Sequence, residues 1–239
     1  MKNALIVWGG WDGHEPEKVA AIFGSILKNN GFQVEVSDSL NAFNDADKLK
    51  ELHLIVPIWT MGEIEKHQVE AVSEAVANGT GLAGCHGGMC DAFRNSVLWQ
   101  FITGGNWVSH PGSDGVEYTV EVCKDPESLI HGIPDFSVKT EHYYLHVDPS
   151  VKVLATTAFP KVKWYHSANG KVDMPVVWTK KWGWGRVFYC SLGHHADIFD
   201  LREPMEIMKR GLLWAARGKE EAVLKNLSGR EFKSGLQMF

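Results

Sequence analysis

Gly81-Leu82-Ala83-Gly84-Cys85-His86-Gly87-Gly88 is an uncharged, glycine-flanked run that precedes a segment with helical spacing from Met89 to Phe101. Such a run is typical of a buried parallel strand that turns sharply into a helix. Gly84, His86 and Gly88 have the Gly-x-Nuc-x-Gly spacing of a nucleophile elbow, in which glycines let strand and helix approach closely around one side chain. The run therefore predicts an α/β sheet with His86 at a turn on its edge.

The histidine at this turn has two interpretations. His86 is either a site residue or a cap for the helix that follows, and the run alone favours neither. Cys85, the obvious nucleophile, comes one residue earlier and should point elsewhere, because strand side chains alternate between faces. The pattern therefore counts against a cysteine hydrolase.

The first hundred residues alternate between predicted strands and predicted helices. Besides the elbow strand, the strands span 4–8, 32–36 and 52–58, and the helices span 15–29, 45–50 and 64–76. This alternation predicts a doubly wound, mostly parallel sheet.

The remainder has a different pattern, and we predict a loop at 104–111 and a closing helix over 204–217. Strands are predicted at 116–122, 138–146, 151–157, 174–179 and 187–191. The short turn at 182–186 predicts an antiparallel hairpin.

Composition limits the class of protein. With 239 residues, 44% of them apolar, the chain can bury one sizeable core. Lys and Arg number 24 against 29 Asp and Glu, with no basic block, so we expect no nucleic-acid partner. The apolar run at the N-terminus is too short for a signal peptide and no segment is long enough to span a membrane, so we expect a cytoplasmic protein without a membrane partner. The four cysteines lack zinc-type pairing, and we expect reduced core residues.

We expect one main domain over residues 1–218 and an extension over 219–239. The extension is mixed and polar, with a weak apolar pattern. It would pack on the body or on a second subunit, so a homo-oligomer stays open.

Histidines follow several predicted strands. His14 ends the loop after the first strand and is preceded by Asp12, and His194 and His195 follow the strand at 187–191. Ligands of open α/β sheets bind beyond the carboxyl ends of the strands, which favours a shared pocket, although His14 alone could equally cap a helix. The glycines at 9–13 do not match the dinucleotide fingerprint, so we expect no nucleotide cofactor.

The segment from Thr140 to His146 contributes further polar groups. In an extended chain Glu141 and Tyr143 share one face while His142 and His146 share the other, too far apart for a zinc site of their own. The chain also holds ten tryptophans and eleven histidines, and a surplus of aromatic rings suits a pocket that stacks against sugars.

Several motifs in this order resemble the trehalose-utilisation (ThuA-like) family over residues 3 to 217. They are the elbow, Glu141-His142-Tyr143, Pro175-Val176-Val177-Trp178, Gly185-Arg186-Val187-Phe188-Tyr189 and Leu192-Gly193-His194. The resemblance implies a flavodoxin-like, doubly wound mostly parallel sheet of the class I glutamine amidotransferase type, with an added antiparallel part. It also implies a role in the catabolism of trehalose-related disaccharides and their keto derivatives. His86 would occupy the position of the amidotransferase cysteine, which counts against glutaminase activity.

By position, the resemblance implies site roles for His14, His86, His110 and His194 and for the pair Glu141 and Tyr143. Imidazoles and a carboxylate suit proton transfer near neutral pH. We therefore hypothesise an isomerase, lyase or hydrolase that acts on a keto-glycoside, with Glu141 or His86 as base and His14 or His194 as acid. In the metal-assisted version, His14, His86 and His194 would bind zinc or manganese and Glu141 would be the base.

The substrate would be a small-molecule sugar, and its predicted binding residues are Asp12, Trp11, Trp59, Trp107, His110 and Tyr143. Two alternatives stay open. In one, the protein is a non-catalytic sugar-binding or regulatory protein whose tryptophans stack on a sugar. In the other, it is an amidase that depends on Cys85.

Overall fold

The structure is a computed structural model that describes residues 1–233 and Gly235. The strands of this part are β1 Lys2–Gly10, β2 Phe32–Ser37, β3 Leu54–Thr60, β4 Gly81–Cys85, β5 Gly105–Ser109, β6 Val116–Val122, β7 Phe136–Thr140, β8 Tyr144–Val147, β9 Lys152–Phe159, β10 Val172–Trp182 and β11 Gly185–Cys190. The α-helices are α1 Pro16–Asn29, α2 Ala46–Glu51, α3 Lys66–Ala77, α4 Gly87–Cys90, α5 Val97–Thr103 and α6 Arg202–Leu224.

A nine-stranded sheet organises the fold, in the order β2-β1-β3-β4-β11-β10-β9-β6-β7. The strands from β2 to β11 in this order are parallel, and those from β11 to β7 pair in antiparallel fashion. The predicted hairpin between β10 and β11 is therefore present, with Trp182 opposite Gly185. The protein is an α/β protein with a large, mostly parallel sheet and added antiparallel strands.

Helices cover both faces of the sheet, as the uninterrupted apolar strands require. On one face Phe23 of α1 and Leu212 of α6 belong to a core with Ile6 and Val56. On the other face Val72 of α3 and Trp99 of α5 pack with Val7, Leu82 and Tyr189. The carboxyl ends of the parallel strands are left open between these two layers.

Local sequence signals explain the limits of α1 and the start of α3. Pro16 is at the start of α1, where its missing N–H costs nothing, and Gly31 follows the helix at φ +83°. The Gln68 side chain of α3 accepts a hydrogen bond from the backbone N–H of Glu65 at 3.1 Å, which satisfies a donor at the helix start.

The structure corrects four expected boundaries. The helix predicted from Met89 to Phe101 is two helices, α4 and α5, separated by residues 91–96, where Phe93 has φ +51°. The loop expected at 104–111 contains β5, whose strand pairs with β8. The strand expected at 138–146 is interrupted at 141–143, so that it becomes β7 and β8, and the closing helix continues from 217 to Leu224.

The first residues of the expected extension therefore continue α6. Further on, the backbone N–H of Gly229 donates to the Asn78 side chain at 3.0 Å, and the ring of Phe232 lies 5.5 Å from that of Trp184, on the body of the protein. The end of the extension, residue 234 and residues 236–239, lies outside the described residues. The division into two units stays a prediction.

None of the helices in the described part of the chain combines the length and the apolar character needed to cross a membrane.

Candidate functional site

Four polar side chains from distant parts of the chain meet at the carboxyl edge of the sheet. His14 follows β1, His86 follows β4, His194 follows β11, and Glu141 lies between β7 and β8. The ring centroids of His14 and His86 are 4.6 Å apart, and that of His194 is 5.0 Å from the first and 5.4 Å from the second. All four side chains are buried, with exposed fractions of 1–6%. The strand order thus brings together the catalytic set that the sequence predicts.

The turn at His86 is sharp because the residue adopts φ +45° and ψ −138°, a conformation that non-glycine residues rarely occupy. The next residue must be glycine, since a Cβ on Gly87 would lie 2.6 Å from the ring of His14. His86 occupies the N-cap position of α4, but its side chain makes no capping hydrogen bond, and the N-cap of α1 is Glu15, not His14. Side-chain capping therefore accounts for neither imidazole.

The Glu141 carboxylate is the centre of the group. Its Oε2 lies 3.0 Å from Nε2 of His86, 3.2 Å from Nδ1 of His194 and 3.9 Å from Nε2 of His14. Its Oε1 lies 2.6 Å from Nδ1 of His110, whose side chain is 42% exposed. One carboxylate thus faces three buried imidazoles with one oxygen and a half-exposed imidazole with the other.

Nδ1 of His86 and Nδ1 of His14, the ring nitrogens that do not face Glu141, each lie against an oxygen atom. Nδ1 of His86 lies 2.7 Å from the backbone carbonyl oxygen of Ser191, and Nδ1 of His14 lies 2.8 Å from Oγ1 of Thr60. A carbonyl can only accept, so the His86 proton is on Nδ1 and Nε2 carries a lone pair. This lone pair points at a carboxylate oxygen 3.0 Å away, a contact that needs a second proton or a cation between the two atoms.

A second proton on His86 is disfavoured by its surroundings. Burial lowers the pKa of His86 although the Glu141 carboxylate acts in the opposite direction, and burial together with His86 and His194 lowers the pKa of His14 to about 2. Burial opposes ionisation of Glu141, but the contacts with His194 and His86 outweigh it and hold the pKa of this carboxyl below its usual value. These pKa shifts favour neutral His14 and His86 beside an ionised Glu141 at neutral pH.

This donor set fits a divalent metal ion. One ligand atom from each of His14, His86, Glu141 and His194 lies within 4.8 Å of the others. Nδ1 of His194 is buried 3.2 Å from Oε2 of Glu141, yet it has no partner in hydrogen-bond geometry among the described residues. Metal-binding histidines usually donate their other N–H to a carbonyl or hydroxyl, which is the arrangement of His86 and His14 here. Imidazole and carboxylate are the ligands that zinc and manganese accept in proteins.

Most of the predicted sugar-binding residues surround this group. The ring of Tyr143 stacks on His86 at 3.9 Å, and that of Trp107 lies 5.4 Å from His110. Trp11 is 46% exposed and meets the ring of His14 edge-on at 4.7 Å. Trp11 is thus exposed at the edge of the site, whereas Tyr143 is 3% exposed and lies buried against His86.

Two of the predicted sugar-binding residues lie apart from the group. The indole of Trp59 packs over Gly9 and Gly62 and onto the core, and the exposed Asp12 has no contact with the group among the described residues.

The neighbours of the site residues point elsewhere. Cys85 is buried in the core on the α1 side, and burial raises the pKa of its thiol, which makes it a poor nucleophile. His142 stacks on Tyr118 at 4.3 Å, away from Glu141, so the alternation predicted for this segment persists although the strand is interrupted.

Thr60 and Ser191, which contact the second ring nitrogens of His14 and His86, were not identified from the sequence. Thr60 ends β3 at the same edge as the histidines, so its position was a usable signal. Ser191 acts through its backbone carbonyl, which no side-chain pattern reveals.

The sequence profile of a family described as trehalose utilisation, ThuA, matches residues 3–215. The chain belongs to the ThuA family. No curated protein matches the sequence of this ThuA-family member.

Solved structures share the fold. A ThuA-like protein from Bacteroides uniformis has a TM-score of 0.72 and 20% identity, covering 90% of this chain and 91% of that one. A ThuA-like protein from Parabacteroides merdae has a TM-score of 0.69 and 19% identity, covering 91% of both chains. A β-galactosidase from Bacillus circulans has a TM-score of 0.56 and 15% identity over 95% of this chain but 32% of its own. At these identities the likeness concerns the fold alone.

Proposed function

We propose that this ThuA-family protein is an enzyme of sugar breakdown that acts on an oxidised (keto) glycoside related to trehalose. Its site would hold one divalent metal ion, zinc or manganese, through His14, His86, His194 and Glu141. The observation that carries the proposal is the contact between Nε2 of His86 and Oε2 of Glu141. Two lone pairs face each other there in a buried site, and a bound cation turns that repulsion into attraction.

The proposed ligand set changes the role that the sequence suggested for Glu141. In the sequence hypothesis Glu141 is the base, whereas its Oε2 here faces the same point as the three imidazole nitrogens. We therefore assign it as a fourth ligand. An ion bound by this set would polarise the carbonyl of a keto-sugar as a Lewis acid, which makes the adjacent C–H more acidic.

The proton in such a reaction is assigned to His110. The other three imidazoles would each direct a lone pair at a bound ion, whereas His110 is half-exposed at the edge of the site. Its Nδ1 lies 2.6 Å from Oε1 of Glu141 without the geometry of a hydrogen bond, so the carboxylate attracts that side of the ring electrostatically and leaves Nε2 for substrate. An imidazole beside a carboxylate, as His110 is beside Glu141, can accept a proton from the carbon next to a sugar carbonyl. It can then return this proton to a neighbouring carbon or to a leaving oxygen.

The surrounding rings support a sugar as the substrate. Trp11 and Trp107 present aromatic surfaces near the cluster, and the buried Nε1 of Trp107 has no hydrogen-bond partner among the described residues. Aromatic surfaces and unpaired neutral donors are the groups that sugar C–H faces and hydroxyls require. The trehalose-utilisation description of the family points to the same class of substrate.

The flavodoxin-like part of the fold prediction is also a proposal. The parallel strands follow the order β2-β1-β3-β4-β11, which corresponds to the 2-1-3-4-5 order of flavodoxin-like sheets. His14 lies at the point where that order reverses. This supports a doubly wound, amidotransferase-like core.

The test is elemental analysis of the purified protein combined with turnover of 3-keto-trehalose before and after chelation. We expect one equivalent of a divalent metal, loss of turnover on chelation and recovery on adding the metal back. His110→Gln should keep the metal and lower kcat by about 10²–10⁴-fold. If metal-loaded protein turns over no keto-glycoside, the enzymatic proposal is wrong.

The sugar-binding alternative predicts a different result in calorimetry. An unoxidised disaccharide would bind without conversion, and a His86→Ala, His194→Ala double variant would bind it equally well. The exposed indole of Trp11 favours this alternative as far as binding is concerned.

A further inference from the structure

A second group of candidate ligands lies beside the buried one. Single ligand atoms of Asp114, His194 and His195 lie within 4.8 Å of one another. Nε2 of His195 is 3.6 Å from Oδ2 of Asp114, and the rings of His194 and His195 are 4.2 Å apart. Two histidines and one carboxylate form a set that binds divalent ions while leaving other positions open for water.

Glu15 supports this arrangement from behind. Its Oε2 lies 3.8 Å from Nδ1 of His195 and accepts a hydrogen bond from the backbone N–H of Ala196 at 3.0 Å. Metal-binding histidines commonly have a carboxylate near the second ring nitrogen, and at 3.8 Å Glu15 makes an electrostatic contact of this kind and not a hydrogen bond. Nε2 of His195 is thereby turned towards Asp114.

The two groups differ sharply in exposure and share one residue. The side chains of Asp114 and His195 are 51% and 41% exposed, whereas those of His194 and Glu141 are 6% and 5% exposed. His194 belongs to both groups. The outer group is therefore continuous with the inner one and faces solvent.

Sharing one imidazole prevents the two groups from working independently. A neutral imidazole has one lone pair, so His194 can bind an ion in the outer group or in the inner group, but not in both at once. The inner group adds His14, His86 and Glu141 as ligands and excludes water, so an ion gains by moving inward.

We propose that Asp114, His194 and His195 form a transient divalent-cation site that captures a hydrated ion from solvent and passes it to the buried site through His194. The inference rests on the proposed metal-dependent function and adds a loading route to it. Capture by exposed ligands matters because a divalent ion must lose its water shell before it can enter a group that is almost completely buried.

The test measures uptake of Zn²⁺ by metal-free, full-length protein in stopped-flow mixing with a chromophoric zinc indicator. The variant is D114N/H195Q, which leaves every inner ligand in place. The matched control is D47N/H131Q, which removes the same two side-chain types from exposed positions elsewhere. The second readout is the zinc content after long incubation, by elemental analysis.

We expect uptake by D114N/H195Q to be at least about tenfold slower than by wild type and control, with one zinc per chain in all three at equilibrium. Equal uptake rates would overturn the loading route, as would two tightly bound zinc ions in wild type. If wild type binds no zinc, the proposed metal-dependent function itself fails, and this result is visible without either variant.

Discussion

Thr60→Val tests whether the hydrogen-bond partner of Nδ1 of His14 supports the binding of a metal ion by this histidine. The substitution keeps the shape of a side chain that is 2% exposed and removes the hydroxyl that lies 2.8 Å from Nδ1 of His14. Nδ1 of His14 would be left buried and unpaired, at a cost of about 1–3 kcal/mol in the metal-free protein. For a chain of this size each kcal/mol lowers Tm by about 2–4 °C.

Metal binding should suffer in addition to stability. Losing the second partner of a ligating histidine typically weakens metal affinity by about 10–100-fold, or about 1.4–2.8 kcal/mol. The Tm gain on adding saturating metal should therefore be smaller in the variant than in wild type. Thermal unfolding with and without metal, together with a metal-buffered titration, separates the two effects.

Thr80→Val is the matched control. Thr80 is completely buried and its hydroxyl donates to the carbonyls of Leu49 and Leu52, at the end of β4 remote from the site. It should lose stability to a similar extent but keep wild-type metal affinity. If Thr60→Val and Thr80→Val bind metal equally well, the assignment of His14 as a ligand held by Thr60 is refuted.

Three further predictions concern the same region. Gly87→Ala should weaken metal affinity by about 10–100-fold, because the new methyl group would lie 2.6 Å from the His14 ring, whereas Gly24→Ala, with its nearest neighbour at 3.7 Å, should bind metal normally in the same titration. Cys85→Ala should retain metal content and turnover with a stability loss of about 1 kcal/mol. If the substitution abolished turnover, the alternative hypothesis of a Cys85-dependent enzyme would be favoured again. Burial lowers the pKa of His14 to about 2 and that of His142 to about 4, whereas unfolded histidines bind protons near pH 6.5. Because the unfolded state then binds more protons, Tm of the metal-free protein should fall between about pH 7 and pH 5, and it should fall less steeply in His142→Phe. A constant Tm over this range would contradict the prediction.

Local patterns were sufficient for most of the strands and helices of the main sheet. The elbow strand, the helix that begins at Pro16 and the hairpin before Gly185 all depend on apolar runs and on turn residues adjacent in sequence. The errors lie where tertiary contacts override local preference. The strand Gly105–Ser109 forms because Tyr144–Val147 is available to pair with it. The glycine-rich sequence of the first segment contains no signal for this partner.

The candidate site was predictable only in part, for the same reason. His14, His86 and His194 follow strands, and parallel strands end at one edge, so their approach could be expected. Trp59 also lies at the carboxyl end of a strand, β3, yet its indole packs against the core. Which way a side chain turns at a strand end depends on the neighbours that it meets.

Residue order alone therefore determined the strand–helix alternation, the glycines that allow the turn at His86, and the identity of the groups able to bind a metal or move a proton. The tertiary structure decided that Glu141, from the antiparallel part, faces three imidazoles from the parallel part, and that the Ser191 carbonyl holds the proton of His86 away from that carboxylate. The reason is physical: periodicity is a property of neighbouring residues, whereas the His86 lone pair faces a carboxylate only because folding brings His86 into contact with residues 55 and 105 positions away, Glu141 and Ser191.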